Sequence, residues 1–253
     1  MGMESQFSVQ QDIGGRSLRK IKISFHPDYP TDPGDLLLSI DDAAKMFTDF
    51  SEYRLGAWVP GWKPVWGAPA LSFEVAESAQ WRGLELRQDR KARSLLAWTG
   101  AGEHEDVELL GRFRSLGTPS TETRITYHLF RARANAVERS GLGASLSIRG
   151  SAAVLRLHEM RRGDIRRISR TELVFVTSHW HWLRFRAEGK HIYGKIWSEL
   201  DPEPHDWTLQ GLAPQTTGPG LVGLGMATPS HVQWSQVGLA VHGLTAPRRK
   251  VSY

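Results

Sequence analysis

Residues 180–197 read Trp180-His181-Trp182-Leu183-Arg184-Phe185-Arg186-Ala187-Glu188-Gly189-Lys190-His191-Ile192-Tyr193-Gly194-Lys195-Ile196-Trp197. Leu183, Phe185 and Ala187 recur at every second position, with Trp182, Arg184 and Arg186 between them. A period of two belongs to a β-strand, whose successive side chains point to opposite faces. The same alternation returns after the turn, where Ile192, Gly194 and Ile196 oppose His191, Tyr193, Lys195 and Trp197. Glu188-Gly189-Lys190 supplies a tight turn, so the two arms form a hairpin whose register the pattern dictates. One face of this hairpin is apolar and needs a second layer to cover it. The other carries arginine, lysine and indole.

Working outward, similar signals recur every 8–15 residues: at 71–77, 84–87, 93–98, 106–114, 123–134, 144–148, 153–159, 165–168, 173–177, 207–209, 221–226 and 231–242. Gly83, Gly117, Gly150, Gly163, Gly189 and the clusters at 100–102 and 141–143 punctuate them. Many short strands with regular turn signals predict an all-β, two-sheet antiparallel sandwich. Upstream, residues 18–25 alternate as one further strand, and residues 26–35 form a Pro/Asp/Gly loop. Residues 39–50 carry a cap and Ala43, Ala44 and Met46, which predicts the start of a short helix. The stretch 50–70 holds three prolines, three glycines and three tryptophans and is expected to be irregular.

The chain has 253 residues, no cysteine, and a formal net charge of +5. That excludes a disulfide scaffold, a thiol nucleophile and a cysteine-based metal site. No apolar run is long enough to span a membrane, and the first residues lack an apolar leader core, so export by that route is not expected. Between Arg131 and Arg170 stand ten arginines against Glu138, Glu159 and Asp164. Acidic stretches around Glu103–Glu108 and Glu199–Asp206 offset them. A basic surface of this kind attracts an anionic polysaccharide or an acidic partner, or is a solvated strand face. No nucleotide loop, zinc finger or basic tail points to nucleic acid.

The hairpin, followed by Glu203-Pro204, Trp207 and Gly220-Leu221-Val222-Gly223-Leu224, resembles the C-terminal half of concanavalin A-like lectin/glucanase domains, jelly-roll sandwiches. Phe50-Ser51-Glu52-Tyr53, Gly56, Pro60, Trp62 and Trp66 resemble the opening segment of the variant found in bacteriophage and prophage virion proteins, and 106–114 resembles its middle strand. The resemblance implies three regions: an N-terminal arm at 1–46, a sandwich at 47–243 and a tail at 244–253. It further implies a non-enzymatic virion component of a tail tip, baseplate or fibre, made in the bacterial cytoplasm and oligomeric within an assembly. Such a component would dock on other virion proteins through the arm and bind host surface polysaccharide. A capsid decoration protein and a polysaccharide-degrading enzyme on the same fold are the alternatives.

Sugar faces stack on indole, so Trp58, Trp62 and Trp66 are candidate binding residues, as are Trp182, Arg184, Arg186 and Trp197 on the polar face of the hairpin. Closing the sandwich edge is the competing role for the first three, and packing is the competing role for the hairpin group. No catalytic residue is expected. Glycosidases of this architecture resemble one another in a Glu-x-Asp-x-Glu strand, but here His104 stands first, before Asp106 and Glu108. Arg170-Thr171-Glu172-Leu173 matches only part of a lyase strand. His179 and His181 straddle Trp180 without a third metal ligand in view. No cofactor is expected; calcium at Asp28, Asp32, Asp35, Asp41 and Asp42 is the open alternative.

Overall fold

The computed structural model describes residues 45–66, 71–78, 81–116, 125–133, 140–177, 179–214 and 218–248, with the backbone alone at 78 and 125–133. The strand at 18–25, the loop at 26–35 and its five aspartates lie outside the described residues. Most of the arm at 1–46 and the last residues of the tail lie outside them too.

Two antiparallel eight-stranded sheets face each other. The first contains β1 (Lys45–Asp49), β3 (Leu71–Ser78), β4 (Trp81–Gln88), β7 (Val107–Ser115), β12 (His181–Glu188), β13 (His191–Ser198), β14 (Leu209–Leu212) and β16 (Ser230–Val241). Its order is β14-β13-β12-β7-β16-β4-β3, with β1 also paired to β16. The second contains β2 (Trp62–Trp66), β5 (Ser94–Trp98), β6 (Glu103–His104), β8 (Ile125–Arg133), β9 (Ser140–Arg149), β10 (Ala152–Arg161), β11 (Asp164–Val174) and β15 (Gly220–Met226). Its order is β11-β10-β9-β8-β15-β5-β2, with β6 also on β15. The chain is thus the expected concanavalin A-like jelly-roll sandwich.

The hairpin forms with the expected register. Leu183 lies across from Ile196, Phe185 from Gly194 and Ala187 from Ile192. Leu183, Phe185, Ala187 and Ile192 enter the core between the sheets, beside Leu155, Leu157, Val222 and Leu224 of the second sheet. Gly194 leaves room there: a Cβ on it would sit 2.9 Å from Leu157. The connection is a two-residue loop in which Gly189 has φ 54°. That positive φ is the reason glycine stands at the turn. The Gly189 N–H donates to Asp106 Oδ1 at 2.7 Å.

Four local expectations are corrected. Residues 62–66, within the stretch expected to be irregular, form strand β2 along β5. Residues 45–49 form strand β1 rather than continuing a helix, pairing from Lys45↔Ala240 to Asp49↔Gln236. β4 covers β16 only from Ser230 to Trp234, so the rest of that edge is open for β1. A ladder of hydrogen bonds there outweighs the helix propensity of a few residues. Residues 165–168 and 173–177 belong largely to one long strand, β11, whose alternation breaks at a bulge opposite Leu157 and His158. Gly141 and Gly143 lie inside β9 and mark no turn.

Candidate functional site

The polar face of the hairpin belongs to the outer face of the first sheet. β7 adds Glu108, Leu110, Arg112 and Arg114 to it, since Arg186 pairs with Glu108, Arg184 with Leu110 and Trp182 with Arg112. This face is not an open platform. Trp182, Arg184 and Trp197 are buried, along with Glu108 and Arg112.

An ion network fills its centre. Glu108 accepts from Arg184 Nη1, from Arg186 Nε at 2.6 Å and from the Ala246 N–H at 2.9 Å. Arg184 donates through Nη2 to Glu203 at 3.1 Å. Lys195 Nζ sits 2.8 Å from the other oxygen of Glu203 and donates to the Pro204 carbonyl at 2.8 Å. Arg184 and Lys195 are direct cross-strand neighbours. Two cations so placed repel one another, and Glu203, reaching in from the segment after β13, holds them together.

A second cluster lies beside it. Arg112 lies 4.1 Å from the ring of Trp180 and 4.6 Å from that of Trp81. It donates to Glu199 at 2.6 Å and to Ser235 at 2.8 Å. Arg114 lies 4.7 Å from Trp180 and donates to Gln233 at 2.9 Å. Burial pulls the Arg114 guanidinium below its ordinary range, and Glu85 partly opposes that. Residues 244–248 lie over the other flank, where Ala246 joins Trp182, Trp197 and Leu110 and Arg248 lies 4.7 Å from the Trp182 ring.

What stays accessible is the rim toward β14. Trp207 is half-buried, with Tyr193 at 5.5 Å and the cations Lys195 and Arg186 at 5.1 and 5.6 Å from its ring. His191 stacks 6.5 Å from Tyr193 and is exposed, and Gln210, paired with Tyr193, is exposed as well. Arg186 keeps about a fifth of its side chain, 22%, in solvent. Two aromatic rings with arginine, histidine and amide groups around them form a stacking surface with hydrogen-bonding groups at its border.

The sequence candidates are therefore distributed among different roles. Trp62 is in the core, stacked on Trp98 at 5.3 Å, and Trp66 is buried with Leu95 and Met160, so neither offers a ring face to a sugar. Their strand places Pro64 at a bulge opposite β5, where a missing N–H is tolerated. Trp58 is 56% exposed and leans on Phe73 at 4.4 Å, apart from the other two. Trp182, Arg184 and Trp197 form the buried floor, and Arg186 alone of that group reaches the rim. Trp207, Tyr193, His191 and Gln210 are absent from the sequence candidates for ligand contact. Tyr193 shares the alternating face with Lys195 and Trp197, which is the signal that could have found it.

The carboxylates of the glycosidase-like strand have structural duties. Glu108 is locked by two arginines and a backbone N–H, Asp106 holds the Gly189 turn, and the His104 ring contacts the Ala101 carbonyl at 2.8 Å. His181 is buried against Phe175 with ring centroids 4.0 Å apart, and its Nδ1 lies 3.0 Å from the His179 carbonyl. Among the described residues no group of three potential ligands gathers for a metal.

No family model and no curated protein matches this sequence. Solved structures with the same fold include a carbohydrate-binding module, CBM66, from Bacillus subtilis. It is 13% identical, with a TM-score of 0.52, covering 71% of this chain and 95% of that one. A Bacteroides ovatus mixed linkage glucan GH16 protein, solved with a product, is 7% identical, with a TM-score of 0.53, covering 77% and 99%. A native glycosidic hydrolase is 10% identical, with a TM-score of 0.53, covering 80% and 98%. At such identities the likeness is one of fold: a concanavalin A-like β-sandwich shared with carbohydrate-binding modules and glucanases.

Proposed function

We propose that this chain is a non-enzymatic glycan-binding sandwich that holds polysaccharide on the Trp207–Tyr193 rim of its first sheet. The observation that carries the reading is that rim: an accessible indole, braced by Tyr193 and two cations, bordered by His191, Gln210 and Arg186. The carbohydrate-binding module and glucanases of the same fold support a carbohydrate as its ligand. The engagement of Glu108 and Asp106 in structural bonds supports a binding role over hydrolysis. A glycosidase needs one carboxyl free to donate a proton and another free to attack or activate water.

Within that reading the chain is a bacteriophage virion component at a tail tip, baseplate or fibre, oligomeric in the assembly. It docks through residues 1–46 and displays the sandwich toward the host surface. The ordered resemblance from Phe47 to His242 supports this placement. Particles purified from the host and analysed by mass spectrometry and labelled-antibody imaging are expected to carry the chain on the tail. Its absence from particles, or its presence on the capsid shell, would overturn that part alone.

For the site, binding to a panel of bacterial surface polysaccharides is expected for the intact protein. Trp207→Ala should weaken it by about tenfold or more, the scale of a lost stacking contact in a small site. Incubation with any polysaccharide retained is expected to release no reducing ends or unsaturated sugar. Product release, abolished by Glu203→Gln, would replace the binding role with catalysis.

A further inference from the structure

The edges of the two sheets are not alike. The first sheet ends in β14 and β3, the second in β11 and β2. β14 is four residues long, and β2 is five, with Pro64 at its bulge. β3 is covered at its middle, where the Gly56 N–H donates to the Val75 carbonyl at 2.8 Å and the Val75 N–H to the Ala57 carbonyl at 3.4 Å. β11 runs for eleven residues, and among the described residues no strand pairs with its open side. An uncovered edge presents a row of backbone donors and acceptors, which is a template for a further strand.

The register shows which residues present that row. The Phe175 N–H donates to the Ser151 carbonyl at 2.9 Å. Backbone bonding alternates along an antiparallel pair, so Leu173 and Thr171 also bond toward β10. Arg170, Glu172 and Val174 turn their N–H and C=O to the open side. Their side chains lie on the outer face of the second sheet, because Leu173 between them packs on the core. Arg170 and Glu172 are exposed, and Val174 is 87% exposed. Within the chain Arg170 stands across from another cation, Arg156. β14 of the other sheet packs beneath both β10 and β11 and is hydrogen-bonded to neither.

We infer that β11 is an interface between two copies of this chain, which join edge to edge and antiparallel about a two-fold axis at Thr171. That register sets Arg170 of each copy across from Glu172 of the other, twice by symmetry, and Thr171 across from Thr171. The residues that bond across the junction are then the ones whose backbone groups face the open side. An axis at Arg170 or at Glu172 would set like charges face to face, so the charge pattern selects the register. The acid also arrives beside a guanidinium that has a cation on its other side. A two-fold axis of this kind stands perpendicular to the joined sheet, which puts the Trp207 rims of both copies on the same side of it. The association does not depend on the rim being a glycan site.

Sedimentation velocity on the intact chain between about 1 µM and about 100 µM should show a reversible monomer–dimer equilibrium. R170E and E172R each bring like charges face to face twice and should each weaken the dimer by about tenfold or more. The swap R170E/E172R remakes both pairs and should return the dimer to within about threefold of the unsubstituted chain. An equimolar mixture of R170E with E172R should form the mixed dimer in preference to either homodimer, since opposite charges then meet at both contacts. R167E, also exposed and on the same strand, changes net charge as much as R170E and should leave association within about twofold. Thermal unfolding of each variant checks that these exposed positions leave the fold intact. A monomer at every concentration, a dimer that R170E leaves unchanged, a double swap no better than the single variants, or an equal loss in R167E would each overturn the inference.

Discussion

Glu108 is where the outer face is most sensitive. Its two oxygens accept from Arg184, Arg186 and the Ala246 N–H in a nearly water-free setting. Removing the carboxylate leaves one fully buried guanidinium, Arg184, without its main counter-charge. Glu108→Ala is expected to cost about 3–5 kcal/mol in urea unfolding, the range for a broken buried pair. Glu203→Ala should cost less, because that carboxylate is 27% exposed. Two glycines make a contrast at the same scale. Gly111 has no unusual φ, but a Cβ there would run into the Trp234 ring, so Gly111→Ala acts by overpacking and should cost about 1–3 kcal/mol. Gly189 has open space around its missing Cβ and a φ of 54°, so Gly189→Ala acts by backbone strain alone, about 1 kcal/mol. Denaturant midpoints compare the four variants on one scale. Equal costs for Glu108→Ala and Glu203→Ala would contradict the placement of the carboxylates.

Among elements, the hairpin at 181–198 was readable because both arms alternate strictly and the turn contains a glycine in the one place the backbone requires it. Its polar face was read correctly as a row of arginine, lysine and indole. What covers that row was not readable, since Glu199, Glu203, Pro204 and Ala246 reach it by loops whose path no periodicity encodes. Trp182 and Trp197 therefore looked like a platform and proved to be a floor. The trio Trp58, Trp62 and Trp66 shows the same limit. The four-residue spacing carries no helical information where 62–66 run as a bulged strand, and the chain sends one indole to the core, one to a satellite cluster and one to solvent. β1 escaped notice because its partner, the second half of β16, lies about 190 residues away. At this scale the covering segment makes a prediction. Lys195→Met removes the bonds to Glu203 and the Pro204 carbonyl, so hydrogen exchange of residues 200–207 should speed up while β12 and β7 stay protected. Unchanged exchange there would mean the segment is held by other contacts.

For the molecule as a whole, two buried histidines set the response to acid. Burial lowers His158 to about 4, with Arg156 and Arg93 acting in the same direction, and burial likewise lowers His181 to about 4. Both are neutral in the fold at a pH where the unfolded chain, near 6.5, already binds protons. Stability is full above about pH 6.5, falls as the pH drops toward 4, and levels off below that, with a loss of order 3 kcal/mol for each histidine. Unfolding free energies at pH 8 and pH 4.5 should show this decline, and His181→Phe should remove part of the slope. A flat profile would mean that the two rings are hydrated. The covered outer face and the Trp207 rim then form one picture: a sandwich whose first sheet is floored by buried ion pairs and keeps its half-buried rings at the β14 side.

The measurement closest to that picture is a titration of the isotope-labelled protein with an oligosaccharide cut from a retained polysaccharide, followed by NMR. The indole signal of Trp207 and the amides of Tyr193, His191 and Gln210 should shift together and saturate, while the indoles of Trp62 and Trp66 stay still. Shifts centred on Trp58, or none at the rim at saturating ligand, would contradict the assignment of the glycan site.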